Sequence, residues 1–328
     1  MVCILGSLGF LLNSESVLLR PGNVMFPLEV AHTFGRAGPL VLEIGHGDGR
    51  FTATLAHKFP DWNLLGVEIS AGSVLRALRR MSRDGITQVR LFHGEALFAL
   101  RNFVPVGGLH RVYVNFPDPW PKSRHEENRL LQRSFFQTLS TRLELGGQLL
   151  LTTDHLGYFE FAQSEALASG LFDLEILPPP DFHLETKYAL KWKAEGRNFY
   201  HVVFTQKGID PQPWNPSPRF EMPHALLTGT LPQPHTFTKQ VVPFSGGHAV
   251  FLEAFRPLEG TGLIFMVHLS EENLVQQVLI EARPADYGVY VGLMGFGAPL
   301  ASQGVKAAVA WLVGWLESQG LGVRQRSY

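Results

Sequence analysis

The chain has 328 residues, 45% of them hydrophobic, with 28 Lys or Arg against 29 Asp or Glu, a net charge of -1 and one cysteine. That is enough apolar material for a large core, read here as two domains. It excludes a uniformly polycationic protein, an internal disulfide framework and a cysteine-built zinc site, and the lone Cys3 suits a reducing cytoplasm.

Residues 1–39 form an N-terminal segment whose apolar start, Met1 to Leu12, lacks a basic flank and a small-residue cleavage site. It is too short to span a membrane and reads as a core strand or a loosely placed start. Leu40 to Ile44 is a short apolar strand holding one acid, Glu43, and it runs into Gly45-His-Gly47-Asp-Gly49. Glycines there let the backbone turn sharply and approach a ligand. A dinucleotide fingerprint would be G-x-G-x-x-G, but Arg50 stands where its third glycine belongs. A carboxylate two residues before Gly45 repels pyrophosphate and suits a cationic ligand such as S-adenosylmethionine, which carries an ammonium and a sulfonium.

Arg50 to Phe59 has helical spacing, and Leu64 to Ile69 is a second strand with Glu68 near its end, where an acid can accept from ribose hydroxyls. Ser73 to Arg83 is a basic amphipathic helix whose Arg76, Arg79, Arg80 and Arg83 fit a solvated face as well as nucleic-acid contact. Val89 to His93 is a third strand, followed by Glu95, which could accept from an adenine amino group. Val112 to Asn115 is a fourth, and it leads into Phe116-Pro-Asp118-Pro-Trp120-Pro-Lys122-Ser-Arg124-His125. Prolines at 117, 119 and 121 rule out helix or central strand, so this is a stiff loop at a strand's carboxyl end, where open α/β sheets bind ligands. Asp118 is the candidate catalytic acid, or else a turn-forming residue. Trp120 either stacks on a base or plugs the core beneath the loop. Lys122 and Arg124 are placed to meet phosphates. Around this loop, residues 76–142 hold twelve Lys or Arg against five acids, which implies an anionic partner.

Arg129 to Leu143 reads as a helix stopped at Gly146-Gly147, Gln148 to Thr153 as a fifth strand, and Phe159 to Ser169 as a helix capped by Gly170. Asp154 lies between the last two as a substrate contact or a helix cap. Thr186, Lys187 and Tyr188 open a stretch that mixes cations with aromatics, as RNA contacts and amphipathic helices both do. Strand–helix alternation over residues 40–208 implies an α/β fold with a doubly wound parallel sheet. Residues 209–218 are a Pro-rich linker, and residues 219–328 form a smaller α+β domain. Its strands are read at Phe237 to Val242, His248 to Phe255, Gly262 to His268, Leu274 to Ala282 and Tyr287 to Leu293, with a helix over Ser302 to Glu317. The histidines show no ligand spacing, and no metal is expected.

With both motifs in view, residues 40–208 resemble the bacterial tRNA (guanine-N7)-methyltransferase family. Val112-Tyr-Val-Asn-Phe-Pro-Asp-Pro-Trp-Pro-Lys-Ser-Arg-His125 carries most of the likeness, with Thr152-Thr-Asp154, Thr186-Lys-Tyr188, Gly196 and Tyr200. The resemblance implies a class I (Rossmann-like) methyltransferase fold, S-adenosylmethionine as cofactor, and methylation of tRNA at N7 of guanine 46 in the variable loop. It assigns Glu43, Glu68 and Glu95 to the cofactor, Asp118 to the active site, and Lys122, Asp154 and Thr186 to the substrate. The chain departs from the pattern at Ala189, where the family usually has a glutamate, and Glu185 or Glu195 could replace it. Another nucleic-acid methyltransferase, or a cofactor-binding RNA module with weakened catalysis, stays open. So does the choice between monomer and homodimer.

Overall fold

The computed structural model describes residues 17–185, 198–211, 221–234, 236–272 and 274–328. The chain divides into two compact units: residues 1–19 with 25–216, and residues 20–24 with 217–328. Arg20–Val24 belongs to the second unit, where the Gly22 amide donates to the Ala298 carbonyl at 3.3 Å. Among the described residues no helix is long and apolar enough to cross a membrane.

The first unit is built on an eight-stranded sheet in the order β1-β4-β3-β2-β5-β6-β8-β7. The strands are β1 Leu18–Leu19, β2 Leu40–Ile44, β3 Asn63–Glu68, β4 Val89–His93, β5 Leu109–Asn115, β6 Leu143–Thr153, β7 Phe172–Ile176 and β8 Tyr200–Gln206. Every residue of β2 is buried, as a central strand covered on both faces requires. The helix Ala71–Arg83 buries Val74, Ala77, Leu78 and Met81 on one stripe, and its Ser70 cap accepts from the Ser73 amide. The chain order turns around at β2, with β3 on one side and β5 on the other, which makes the carboxyl ends of β2 and β5 the topological switch point.

Three expectations are corrected. The sheet is not wholly parallel, because β8 inserts between β6 and β7 and runs antiparallel to both. The helix read over Arg129 to Leu143 is confined to Arg133–Ser140. The fifth strand begins at Leu143, and its register with β5 jumps from Leu143 to Gln148 while Gly146 turns in a left-handed conformation (φ 76°). Those glycines make a bulge inside a strand rather than the stop of a helix. The helix Ala96–Asn102 and strands β7 and β8 were absent from the sequence reading.

The second unit is a seven-stranded antiparallel sheet in the order β10-β11-β12-β13-β14-β9-β15, formed by β9 His224–Thr228, β10 Gln240–Phe244, β11 Gly247–Phe255, β12 Leu263–Glu271, β13 Leu274–Ala285, β14 Gly288–Leu293 and β15 Gly322–Ser327. The helix Gln303–Ser318 buries Val305, Val309, Leu312 and Leu316 in the core of this unit. Strands β9 and β15 were not among those read from the sequence, and β15 is largely polar.

In the first unit, Phe136 is fully buried and meets Phe172 of β7 at 5.3 Å and Phe204 of β8 at 5.1 Å between ring centroids. It ties the inserted strand and the edge strand to the helix layer. Phe136→Ala is expected to cost about 3–5 kcal/mol by leaving a cavity. Urea denaturation measures this, and a cost below about 1 kcal/mol would mean the site collapses around the missing ring.

Candidate active site

The turn after β2 is fixed by its own backbone. The Gly45 and His46 amides donate to the Val67 carbonyl, and the Gly49 amide donates to the His46 carbonyl. The Gly47 amide donates to Glu68 Oε2 at 3.0 Å, and the Arg50 amide to Asp48 Oδ1 at 3.2 Å. These N–H groups, which a phosphate cradle would need, already have partners inside the protein. What the turn offers a ligand is carboxylate.

Gly45, Gly47 and Gly49 all have positive φ (75°, 55° and 75°). A Cβ at Gly45 or Gly47 would meet nothing within 4 Å, so open space lies beside the turn. At Gly49 it would stand 2.7 Å from the Ala77 Cβ, so that glycine lets the helix Ala71–Arg83 pack against the turn. Asp48 pairs with Arg80 at 3.4 Å and Arg50 at 3.7 Å. Arg80 is thereby engaged at the turn, while Arg76, Arg79 and Arg83 are exposed.

Glu43 is 4% exposed and accepts from the Thr52 hydroxyl at 2.6 Å. Burial pushes its carboxyl up to about 7; Glu68 and Asp48 push the same way, and the Thr52 hydrogen bond opposes them. Glu68 takes backbone amides on both oxygens, from Gly47 and from Ser70 at 2.8 Å, and keeps lone pairs for a ligand hydroxyl. The Gly94 amide donates to the Glu68 carbonyl at 3.0 Å, which brings the end of β4 and the exposed Glu95 alongside β3. Buried beside them, the His46 imidazole is pushed down to about 4 chiefly by its burial.

The proline loop leaves β5 next to this turn, since Ile44 of β2 pairs with Val114 of β5. Its first amide, Phe116 N–H, donates to the Thr152 carbonyl of β6 at 2.7 Å. Phe116 (φ 53°) and Trp120 (φ 43°) both adopt left-handed backbone, at a cost of about 1–3 kcal/mol each, and they bracket the exposed Asp118. The loop is anchored by Arg129, which is 6% exposed. Its guanidinium donates to the Pro119 carbonyl at 3.0 Å and the Trp120 carbonyl at 3.3 Å, pairs with Glu126 at 3.1 Å, and lies 4.7 Å over the Phe161 ring. Sequence reasoning placed Arg129 in a helix and missed this role, for which the sequence carries no local signal. Trp120 is 39% exposed and does not plug the core.

Near the carboxyl end of β6, the Thr152 hydroxyl lies 2.9 Å from Nδ1 of His183 and 2.9 Å from Nδ1 of His201. A hydroxyl has one proton to give, so at least one imidazole donates to it. Burial pushes His183 down to about 3 and His201 down to about 4, so both stay neutral in this cluster. The sequence reading missed this cluster too. Asp154 follows β6 and is half-buried, and the cap of the helix Leu156–Ser169 is the His155 side chain, which accepts from the Tyr158 amide at 3.0 Å. Lys122 and Arg124 are exposed on the loop. Thr186, Lys187, Tyr188 and Ala189 lie outside the described residues.

The profile of a family described as "Putative methyltransferase" matches residues 37–202. The chain is 56% identical over 300 residues to a protein of Thermus thermophilus named tRNA (guanine-N(7)-)-methyltransferase, a match that covers 92% of this chain and 96% of the relative. A protein of the same name from Deinococcus radiodurans is 41% identical over 324 residues, covering 95% of this chain and 100% of the relative. One from Thermotoga maritima is 37% identical over 191 residues, or 56% of this chain and 60% of the relative. The first two matches run beyond residue 202 and so take in much of the second unit.

Glu43 ties the turn to a pH dependence. Its carboxyl ionises near 4.5 when unfolded and near 7 when folded, so between those values the native state holds the extra proton. This contribution to stability is fully present below pH 4.5 and is lost as pH rises through 7. One proton sets a slope of at most about 1.4 kcal/mol per pH unit. Glu43→Gln should remove that slope, read from urea denaturation of the unliganded protein at a series of pH values. An unchanged slope would mean that Glu43 is already ionised in the native state.

Proposed function

The chain belongs to the bacterial tRNA (guanine-N(7)-)-methyltransferase family, and from that membership we propose that it methylates N7 of guanine 46 in the variable loop of tRNA, with S-adenosylmethionine as methyl donor. One observation supports this above the others. The carboxylate-lined glycine turn and the Asp118 loop leave neighbouring strands side by side at the switch point of the sheet.

The residues at the turn fit the donor. Open space flanks Gly45 and Gly47, the turn's amides are already engaged, and Glu43, Glu68 and Glu95 supply acceptors for a cationic, hydroxyl-bearing ligand. When bound, the donor supplies a methyl group on a sulfonium, whose S–C bonding pair returns to sulfur as the guanine N7 lone pair forms the new bond. N7 has no proton to lose, so no strong base is needed. The protein's task is alignment, which lowers the entropic barrier, together with stabilisation of the positive charge that the ring acquires.

Asp118 accepts from guanine N1–H and the exocyclic amino group, which selects guanine over adenine and places a negative charge beside the developing cation. Lys122 and Arg124 meet tRNA phosphates, and Asp154, Thr186, Lys187 and Tyr188 complete the substrate side. The protein works in the cytoplasm, with tRNA as its partner.

The direct test incubates the purified full chain with the donor and unmodified tRNA transcripts, then maps N7-methylguanosine by chemical cleavage. Product at guanine 46 is expected; product at another guanine, or none, would refute the assignment. Asp118→Ala should lower kcat by about 100-fold or more while cofactor binding by calorimetry stays within about twofold. Turnover at the wild-type rate would remove Asp118 from the mechanism. Because a cationic ligand favours ionised Glu43, donor affinity should rise as pH increases through about 7 and release a proton below it. Glu43→Gln should flatten that dependence, whereas an unaltered profile would assign it to another group.

A further inference from the structure

We propose that Trp120 is the stacking platform for the target guanine, and that its indole face stabilises the positive charge the ring gains on methylation. The inference rests on guanine N7 methylation as the reaction. Among the described tryptophans, Trp62 is buried and Trp311 and Trp315 pack against the core of the second unit, whereas Trp120 is 39% exposed. It stands two residues beyond Asp118 in left-handed backbone, and the buried Arg129 guanidinium holds the carbonyls of Pro119 and Trp120 itself. The backbone that carries the exposed ring is therefore set before any ligand arrives, which reduces the ordering cost of binding.

The indole already lies parallel to a second ring. Trp120 and His125 have centroids 5.9 Å apart and an interplanar angle of 9°. A flat base between two parallel rings needs centroids roughly 7 Å apart, twice the ~3.5 Å contact distance. The pair must therefore part, through a movement of the half-buried His125, before a purine can enter between the rings. The Arg124 Nε–H donates to His125 Nε2 at 2.9 Å, so the proton of the neutral imidazole lies on Nδ1, and a guanidinium stands at the rim for the nucleotide's phosphate.

The chemistry selects an aromatic face here. Guanine forms its N7–methyl bond with its own lone pair, loses no proton and gains one unit of positive charge. An indole face attracts a cation more strongly than a neutral ring. The contact therefore strengthens along the reaction and lowers the barrier instead of merely tightening ground-state binding.

The test compares Trp120→Phe, Trp120→Leu and wild type as full chains, in initial-rate methylation of a tRNA transcript. It also compares their binding of that transcript before and after complete methylation, with S-adenosylhomocysteine present. Trp120→Leu should lose kcat by roughly 5- to 30-fold with a smaller change in KM. Trp120→Phe should recover most of the rate, and melting temperature and cofactor affinity should match wild type. Wild type should prefer the methylated transcript, and Trp120→Leu should lose that preference. Wild-type kcat in Trp120→Leu, or an unchanged preference for methylated tRNA, would overturn the platform. Failure of the wild type to methylate guanine at all would instead overturn the reaction on which it rests.

Discussion

A loop that contains three prolines has lost three backbone donors and kept every acceptor. Those carbonyls need donors from elsewhere in the chain. The fixed fork of the Arg129 guanidinium supplies the missing donors to two of those carbonyls from a buried position against Phe161. Its charge is balanced by Glu126, so the burial does not leave an orphaned cation. Arg129 holds the backbone at Pro119 and Trp120 where local propensity opposes the left-handed conformation of Trp120.

The neighbouring turn solves a complementary problem. Glycine turns before helices usually present amide hydrogens to anions, and here those hydrogens are directed inward to Val67, His46, Asp48 and Glu68. Engaging them reverses the electrostatic preference of the site. Glu43 then sits in a low-dielectric environment where its ionisation awaits a positive partner. In the function proposed above, the two elements divide the work between a carboxylate-lined turn for a cationic donor and a solvent-facing loop for a nucleobase.

Much of this was legible in the sequence because it depends on local rules. Short apolar runs marked β2 to β5, and the spacing Gly45, Gly47, Gly49 with Glu43 before it argued against a pyrophosphate. What escaped depends on tertiary contacts. Trp120 between prolines reads as plug or platform, and only its exposure excludes the plug. Thr152 meets His183 and His201 across 31 and 49 residues of chain, and no pattern at either end announces the pairing. The antiparallel β8 broke the strand–helix alternation, because the chain after β7 turns back into the sheet instead of crossing over it.

That insertion also constrains how the chain is made. β8 is the last strand of its sheet in sequence, yet it is the hydrogen-bonded neighbour of β6 and the described partner of β7. As the chain leaves the ribosome, the edge of β6 stays open and Phe172–Ile176 stays unpaired until residues 200–206 emerge. The sheet thus closes from its interior at the end of the first unit's synthesis. Thr152 and His201, facing each other across that late seam, come together at the same moment. Completing the sheet and joining Thr152 to His201 therefore both wait on the same strand.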